Sequence, residues 1–139
     1  MITEPALVPE LLVTDLDASL HFWVDLCGFT VRYDRPDERF VFLALGSAHL
    51  MLEQAGIGRN WLVGPLAVPF GRGMNLQITV ADSDAIATRL IDAGVVLFME
   101  PETKWYRTGD TEAGVRQFIV ADPDGYLARF QSTTGRRGL

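Results

Sequence analysis

The sequence predicts an α+β fold: one domain, residues 1–139, of two βαβββ modules in tandem. Three observations carry this. A strand-like run followed by an acidic helix cap, an apolar helical stripe and a glycine stop occurs twice. Each occurrence is followed by three more strand-like runs. The two halves can be laid on each other, with Asp15 opposite Asp82, Val13 opposite Val80, and Gly28 opposite Gly94 within one position.

In the first module, about 7–53, residues 7–13 read as a strand. Thr14 and Asp15 then offer side-chain oxygens to a helix N-terminus. Leu16, Leu20, Trp23 and Cys27 fall at i, i+4, i+7 and i+11, one apolar stripe, and Gly28 ends it because glycine accepts positive φ. Residues 29–33, 40–45 and 49–53 read as strands, the last two joined at Gly46-Ser47. In the second module, about 74–131, residues 76–80 read as a strand. Asp82 or Ser83 caps a helix with Ile86, Leu90 and Ile91, and Gly94 stops it. Residues 95–99, 116–121 and 127–131 complete the set. Asp122-Pro123-Asp124-Gly125 is a turn, proline setting one φ and glycine taking a left-handed one. Helices cover one face of each sheet, so the other face must curl around something or meet another sheet.

Three segments fall outside the repeat. The linker 54–73 is rich in Gly and Pro yet holds Trp61, Leu62, Leu66 and Phe70, too apolar for solvent and suited to a partner chain. Residues 100–114, with Trp105 and Tyr106, read as a long connecting loop, a class that is often functional. The polar tail, 132–139, is expected to fray.

Composition narrows the function. The formal net charge of −6 argues against nucleic acid, whose phosphates need clustered Lys and Arg, and is compatible with a cationic ligand. No apolar run reaches the roughly 18 residues of a membrane helix. The opening MITEPALVPELLV lacks the basic region of a signal peptide. Cys27 is the sole cysteine, so no internal disulfide forms and a cytoplasmic setting is expected. No glycine-rich phosphate loop precedes a helix, and no catalytic set emerges.

PELLVTDLDASLHFW with LCGF in the first half, and FIVADPDGYLARF in the second, resemble the vicinal oxygen chelate superfamily, within it the glyoxalase/bleomycin-resistance group and its bleomycin-resistance-like branch. The resemblance runs from about residue 7 to 131. It implies paired modules curled around a pocket, a divalent metal in the enzymes, and metal-free homodimers that trap a cationic glycopeptide antibiotic in the drug-binding members. The enzymes' ligand positions fall here on Val8, Glu53, Asn75 and Arg129. Valine offers no lone pair, Asn75 is a poor ligand for a transition metal, and Arg129 adds fixed positive charge. His21 and His49 stand elsewhere. We therefore expect no metal, no cofactor and no catalytic residues.

Strand alternation then defines the ligand-facing residues. Glu10, Phe40, Phe42, His49 and Glu53 are expected from the first module, and Asn75, Gln77 and Arg129 from the second, with Trp61, Trp105 and Tyr106 from the connections. Phe40 and Phe42 fit plain core equally well. The expected function is non-catalytic sequestration of a bleomycin-type or other planar cationic antibiotic by a homodimer. The alternatives are a metal-dependent lyase, isomerase or dioxygenase with an atypical site, and a metabolite-binding protein.

Overall fold

A computed structural model describes residues 4–139; the first three residues of the opening segment lie outside the described residues. The chain forms two compact units, Met1–Phe70 and Gly71–Leu139. Each is a four-stranded mixed sheet with helix on one face.

In the first unit the order along the chain is β1 (Glu10–Val13), α1 (Leu16–Leu20), β2 (Thr30–Arg35), β3 (Phe40–Leu45) and β4 (Ala48–Gln54). The sheet order is β1-β4-β3-β2, with β1 parallel to β4 and the other pairs antiparallel. β1 is shorter than the expected 7–13. Asp15 is the N-cap, accepting from the Asp17 amide at 3.0 Å. Beyond Leu20 the helix widens over His21–Leu26. There the Cys27 amide donates to the Phe22 carbonyl, five residues back. The wider turn lets two consecutive aromatics, Phe22 and Trp23, both point inward, where their rings meet edge-on at 5.0 Å. Leu11, Val13, Val41, Leu43, Leu50 and Leu52 make the apolar layer on one sheet face, each 3% exposed or less.

The second unit repeats the plan with β5 (Asn75–Thr79), α2 (Ser83–Asp92), β6 (Met99–Thr108), β7 (Thr111–Ala121) and β8 (Leu127–Gly138), in sheet order β5-β8-β7-β6. Asp82 caps α2 through the Ala85 amide. Ser83 ties the first turn of α2 to the sheet: its amide donates to Ser132 Oγ at 2.7 Å and its hydroxyl to the Arg116 carbonyl at 2.9 Å. Ile78, Phe118, Val120, Ala128 and Phe130 are buried, and the Phe118 and Phe130 rings stack at 5.5 Å. Burial of each such phenyl contributes about 1.5–3 kcal/mol. The Asp122–Gly125 turn forms as expected, with Asp122 Oδ1 accepting from the amides of Asp124 and Tyr126 and Gly125 at φ 103°.

Three expectations are corrected here. Residues 95–98 are not a strand; β6 starts at Met99. Residues 100–114 are not a loop but most of a long hairpin, with Thr108 paired to Thr111 across a two-residue turn. The tail is not frayed: β8 runs to Gly138, and Arg137 pairs with Glu112 of β7. These residues alternate no apolar side chains because both faces of the arm meet water. Ladder hydrogen bonds and cross-strand pairs such as Arg137 to Glu112 at 2.7 Å hold it.

Candidate functional site

Each unit presents a sheet face opposite its buried apolar layer, and these two faces carry most of the expected site residues. In the first unit the register sets Glu10, Met51 and Phe42 in one row with Tyr33, and Leu12, Glu53 and Phe40 in the next with Arg35. Phe40 and Phe42 are 1% and 2% exposed. They are covered from the same strand face: the Tyr33 ring stacks on Phe42 at 5.0 Å and 18°, and the Arg35 guanidinium lies over Phe40 at 3.9 Å. Arg32, at the bulge in β2, reaches Phe42 as well, at 5.2 Å. His49 lies at 5.6 Å from Phe42, its Nδ1 buried without a hydrogen-bond partner.

Glu53 is the unusual group on this face. It is 8% exposed; no ion pair holds its carboxylate among the described residues, and the carboxylate oxygens rely on the solvent contact that remains. The chain folds back over it after β4, so close that a Cβ on Gly58 would stand 2.6 Å from Glu53 Oε1. Burial pushes its pKa above the ordinary glutamate value; Glu10 and Glu38 push the same way and Arg35 opposes them. Trp61, in the connection after β4, is 72% exposed and takes the Arg59 guanidinium over its ring at 5.1 Å.

In the second unit Asn75 and Gln77 on β5 pair in register with Leu127 and Arg129 on β8. Arg129 donates to Gln77 Oε1 at 2.7 Å, and Gln131 to Thr79 Oγ1 at 3.2 Å. Tyr106 joins this face: its hydroxyl accepts from Gln117 Nε2 at 2.6 Å, and Glu102 Oε1 accepts from the same nitrogen at 3.1 Å. Trp105 does not. As the neighbour of Tyr106 on a strand it takes the other face, over Gly114, with Arg137 on its ring at 4.0 Å. It therefore does not share the face that carries Tyr106, Gln77 and Arg129.

Sequence reasoning missed Tyr33, Arg35, Glu102 and Gln117. Gln117 had a readable signal, as a polar residue between Val115 and Ile119 on the strand face that it shares with them. Tyr33 and Arg35 had none, because the bulge between Val31 and Tyr33 decides which residues of β2 share the face of Phe42.

The residues do not fit a divalent metal. His49 and Glu53 share a strand face four residues apart, about 13 Å, too far to chelate one ion. Arg129 holds its fixed charge beside Gln77 where a ligand carboxylate would be needed. Among the described residues no three His, Cys, Asp or Glu side chains gather in a metal-binding group. No helix among them is long and apolar enough to cross a membrane.

The family described as the Glyoxalase/Bleomycin resistance protein/Dioxygenase superfamily matches residues 6–130. The chain belongs to that superfamily. A superfamily member from Vibrio splendidus 12B01 is 36% identical, over 89% of this chain and 94% of its own, with a TM-score of 0.41. TioX from Micromonospora sp. ML1 is 25% identical, over 92% and 95%, with a TM-score of 0.67. A protein from the mobile metagenome of V. pseudocholerae is 18% identical, over 97% and 98%, with a TM-score of 0.71, and shares the fold. No curated protein matches the chain. The glyoxalase-superfamily fold accounts for the two four-stranded open sheets described above.

Proposed function

We propose that the chain is a non-catalytic binding protein that sequesters a planar cationic small molecule, such as a bleomycin-type or other planar cationic antibiotic. The observation that carries this reading is the first unit's open face: a largely desolvated Glu53 carboxylate, held by no ion pair among the described residues, beside Phe40, Phe42 and Tyr33. A cation offsets the cost of that carboxylate, and aromatic faces attract flat cations. The protein's own Arg35 supports the point. Its guanidinium is a flat cation, stacked on Phe40 at 3.9 Å and held by Glu38 at 2.8 Å. With half of its side chain in solvent, Arg35 yields that place to a competing ligand at little cost. Among the described residues no group of three metal-ligating side chains favours the rival reading, a metal-dependent enzyme of the superfamily.

The proposal includes a homodimer in the cytoplasm. Trp61, Leu62, Val63 and Val68 are more than half exposed, a surface that a second copy would cover. The test is titration calorimetry with bleomycin and with benzamidine at low and high salt, alongside light scattering. We expect one-to-one binding per chain, weakened at least tenfold in Glu53→Gln at low salt, and faster dissociation in Tyr33→Ala. Failure of both ligands to bind, or binding indifferent to both substitutions, overturns the reading. A monomer mass at micromolar concentration overturns the dimer.

A further inference from the structure

The first unit's open face already holds a cation of its own. The register sets Leu12, Glu53, Phe40 and Arg35 in one row across the four strands. The Phe40 ring is buried, yet the Arg35 side chain that lies over it at 3.9 Å is half in solvent. The outer cover of this ring is therefore an exposed side chain. Arg35 Nε donates to Glu38 Oε2 at 2.8 Å, and Glu38 is half exposed as well. The turn between these groups and β3 is fixed from behind. Arg39 is left-handed at φ 50°, and a residue other than glycine keeps that conformation where its surroundings impose it. Its Nη2 donates to Gln54 Oε1 at 3.3 Å and pairs with Asp17 at 3.3 Å, while the Gln54 amide donates to the Arg39 carbonyl at 2.9 Å. With the turn pinned, Arg35 leaves the Phe40 ring by side-chain rotation alone. Arg35 also lies near enough to Glu53 to oppose the rise in its pKa.

We infer that Arg35 is an internal competitor for this site: its guanidinium closes the Phe40 face in the free protein, and a bound cation takes its place. The inference rests on the reading of the first unit's open face as a cation site and adds the regulation of that site. One ring face has room for one planar group, and two cations stacked there would repel each other. The apparent affinity for a cation that needs this face is reduced by the fraction of the protein in which Arg35 stands aside. An exposed cation–π contact is weak, so the reduction is about three- to sixfold. Displacement strands no charge, because Glu38 and water are both at hand for the released guanidinium. Repulsion through space would fade with added salt, whereas occupancy of the ring face does not.

The test is titration calorimetry of the parent and Arg35→Gln chains with benzamidine, at low and at high salt. The Arg35 Nε–H signal of the ¹⁵N-labelled parent is followed in parallel, assigned by its disappearance in Arg35→Gln, whose backbone spectrum also reports folding. Arg35→Gln is expected to bind benzamidine about three- to sixfold more tightly than the parent at both salt concentrations. Saturating benzamidine is expected to move the parent's Nε–H signal from its ring-shifted position toward that of a solvated arginine. A gain confined to low salt is repulsion alone and overturns the inference. So does weaker binding by Arg35→Gln, or an Arg35 signal that ignores bound benzamidine. Equal binding by both chains refutes the competitor and leaves the cation site standing. Binding by Arg35→Gln alone supports the competitor and refutes sequestration by the parent. Binding by neither chain overturns both.

Discussion

Replacing Gln117 by methionine is expected to leave stability nearly unchanged, an unusual outcome for a residue 2% exposed with two hydrogen bonds. Methionine keeps the length and the unbranched shape, so neither a cavity nor a clash is introduced. The substitution removes the bonds to Glu102 and Tyr106, each with a net worth of about 1 kcal/mol. Both partners are exposed and recover water, so neither is stranded. Against this loss of about 2 kcal/mol stands the removal of a buried carbonyl oxygen that has no partner, a relief of about 1–3 kcal/mol. Additional apolar burial adds a little more. The two sides cancel to within about 1 kcal/mol, a few degrees in Tm for a chain of this length. Urea unfolding of parent and variant, with the slope compared as well as the midpoint, measures the difference directly. A loss above about 2 kcal/mol at unchanged slope would mean that Oε1 is satisfied in the folded protein.

Glu53→Gln is expected to stabilise the protein at pH 7 and to lose that advantage in acid. The pKa of Glu53 is raised on folding, so as pH rises the unfolded chain releases this proton first, and the folded state is penalised above the ordinary glutamate range and not below it. Unfolding curves of parent and variant should therefore converge as pH falls through that range; a pH-independent gap contradicts the desolvation of this carboxylate. Gly114→Ala places a Cβ 2.5 Å from Thr134 Oγ1 and 2.8 Å from Trp105 Cη2, and should cost about 1–3 kcal/mol while shifting the Trp105 indole N–H signal. An unmoved indole signal would place Trp105 elsewhere. Asp82→Ala removes the acceptor for the Ala85 amide and should cost about 1 kcal/mol, with Asp82→Asn recovering most of it in thermal melts.

Local chemistry made much of the fold legible. Asp15 and Asp82 mark helix starts because a short acidic side chain satisfies amides that a helix leaves open, an interaction within three residues. Apolar alternation identified β3 and β4 because one buried face imposes a period of two, and it put Glu10, Phe40, Phe42, His49 and Glu53 on a common face. The arm of β6, β7 and β8 had no such imprint. Both of its faces meet solvent, so its strands are held by partners distant in sequence rather than by a pattern within them. Trp105 and Tyr106 were assigned together for want of a strand that would separate them.

The chemistry of the site depended on tertiary structure still more. The residues themselves show that Glu53 is a carboxylate, that Gln117 is an amide and that Arg129 stands where the superfamily's enzymes need a ligand. How far Glu53 is desolvated depended on the return of the chain at Gly58. Whether Gln117 has a free acceptor depended on the register that brings Glu102 and Tyr106 to one of its two ends. Caps, turns and alternation arise from contacts a few residues apart, which sequence order alone specifies. Hydrogen-bond satisfaction and desolvation sum over every group within reach in space, and only the folded chain brings those groups together.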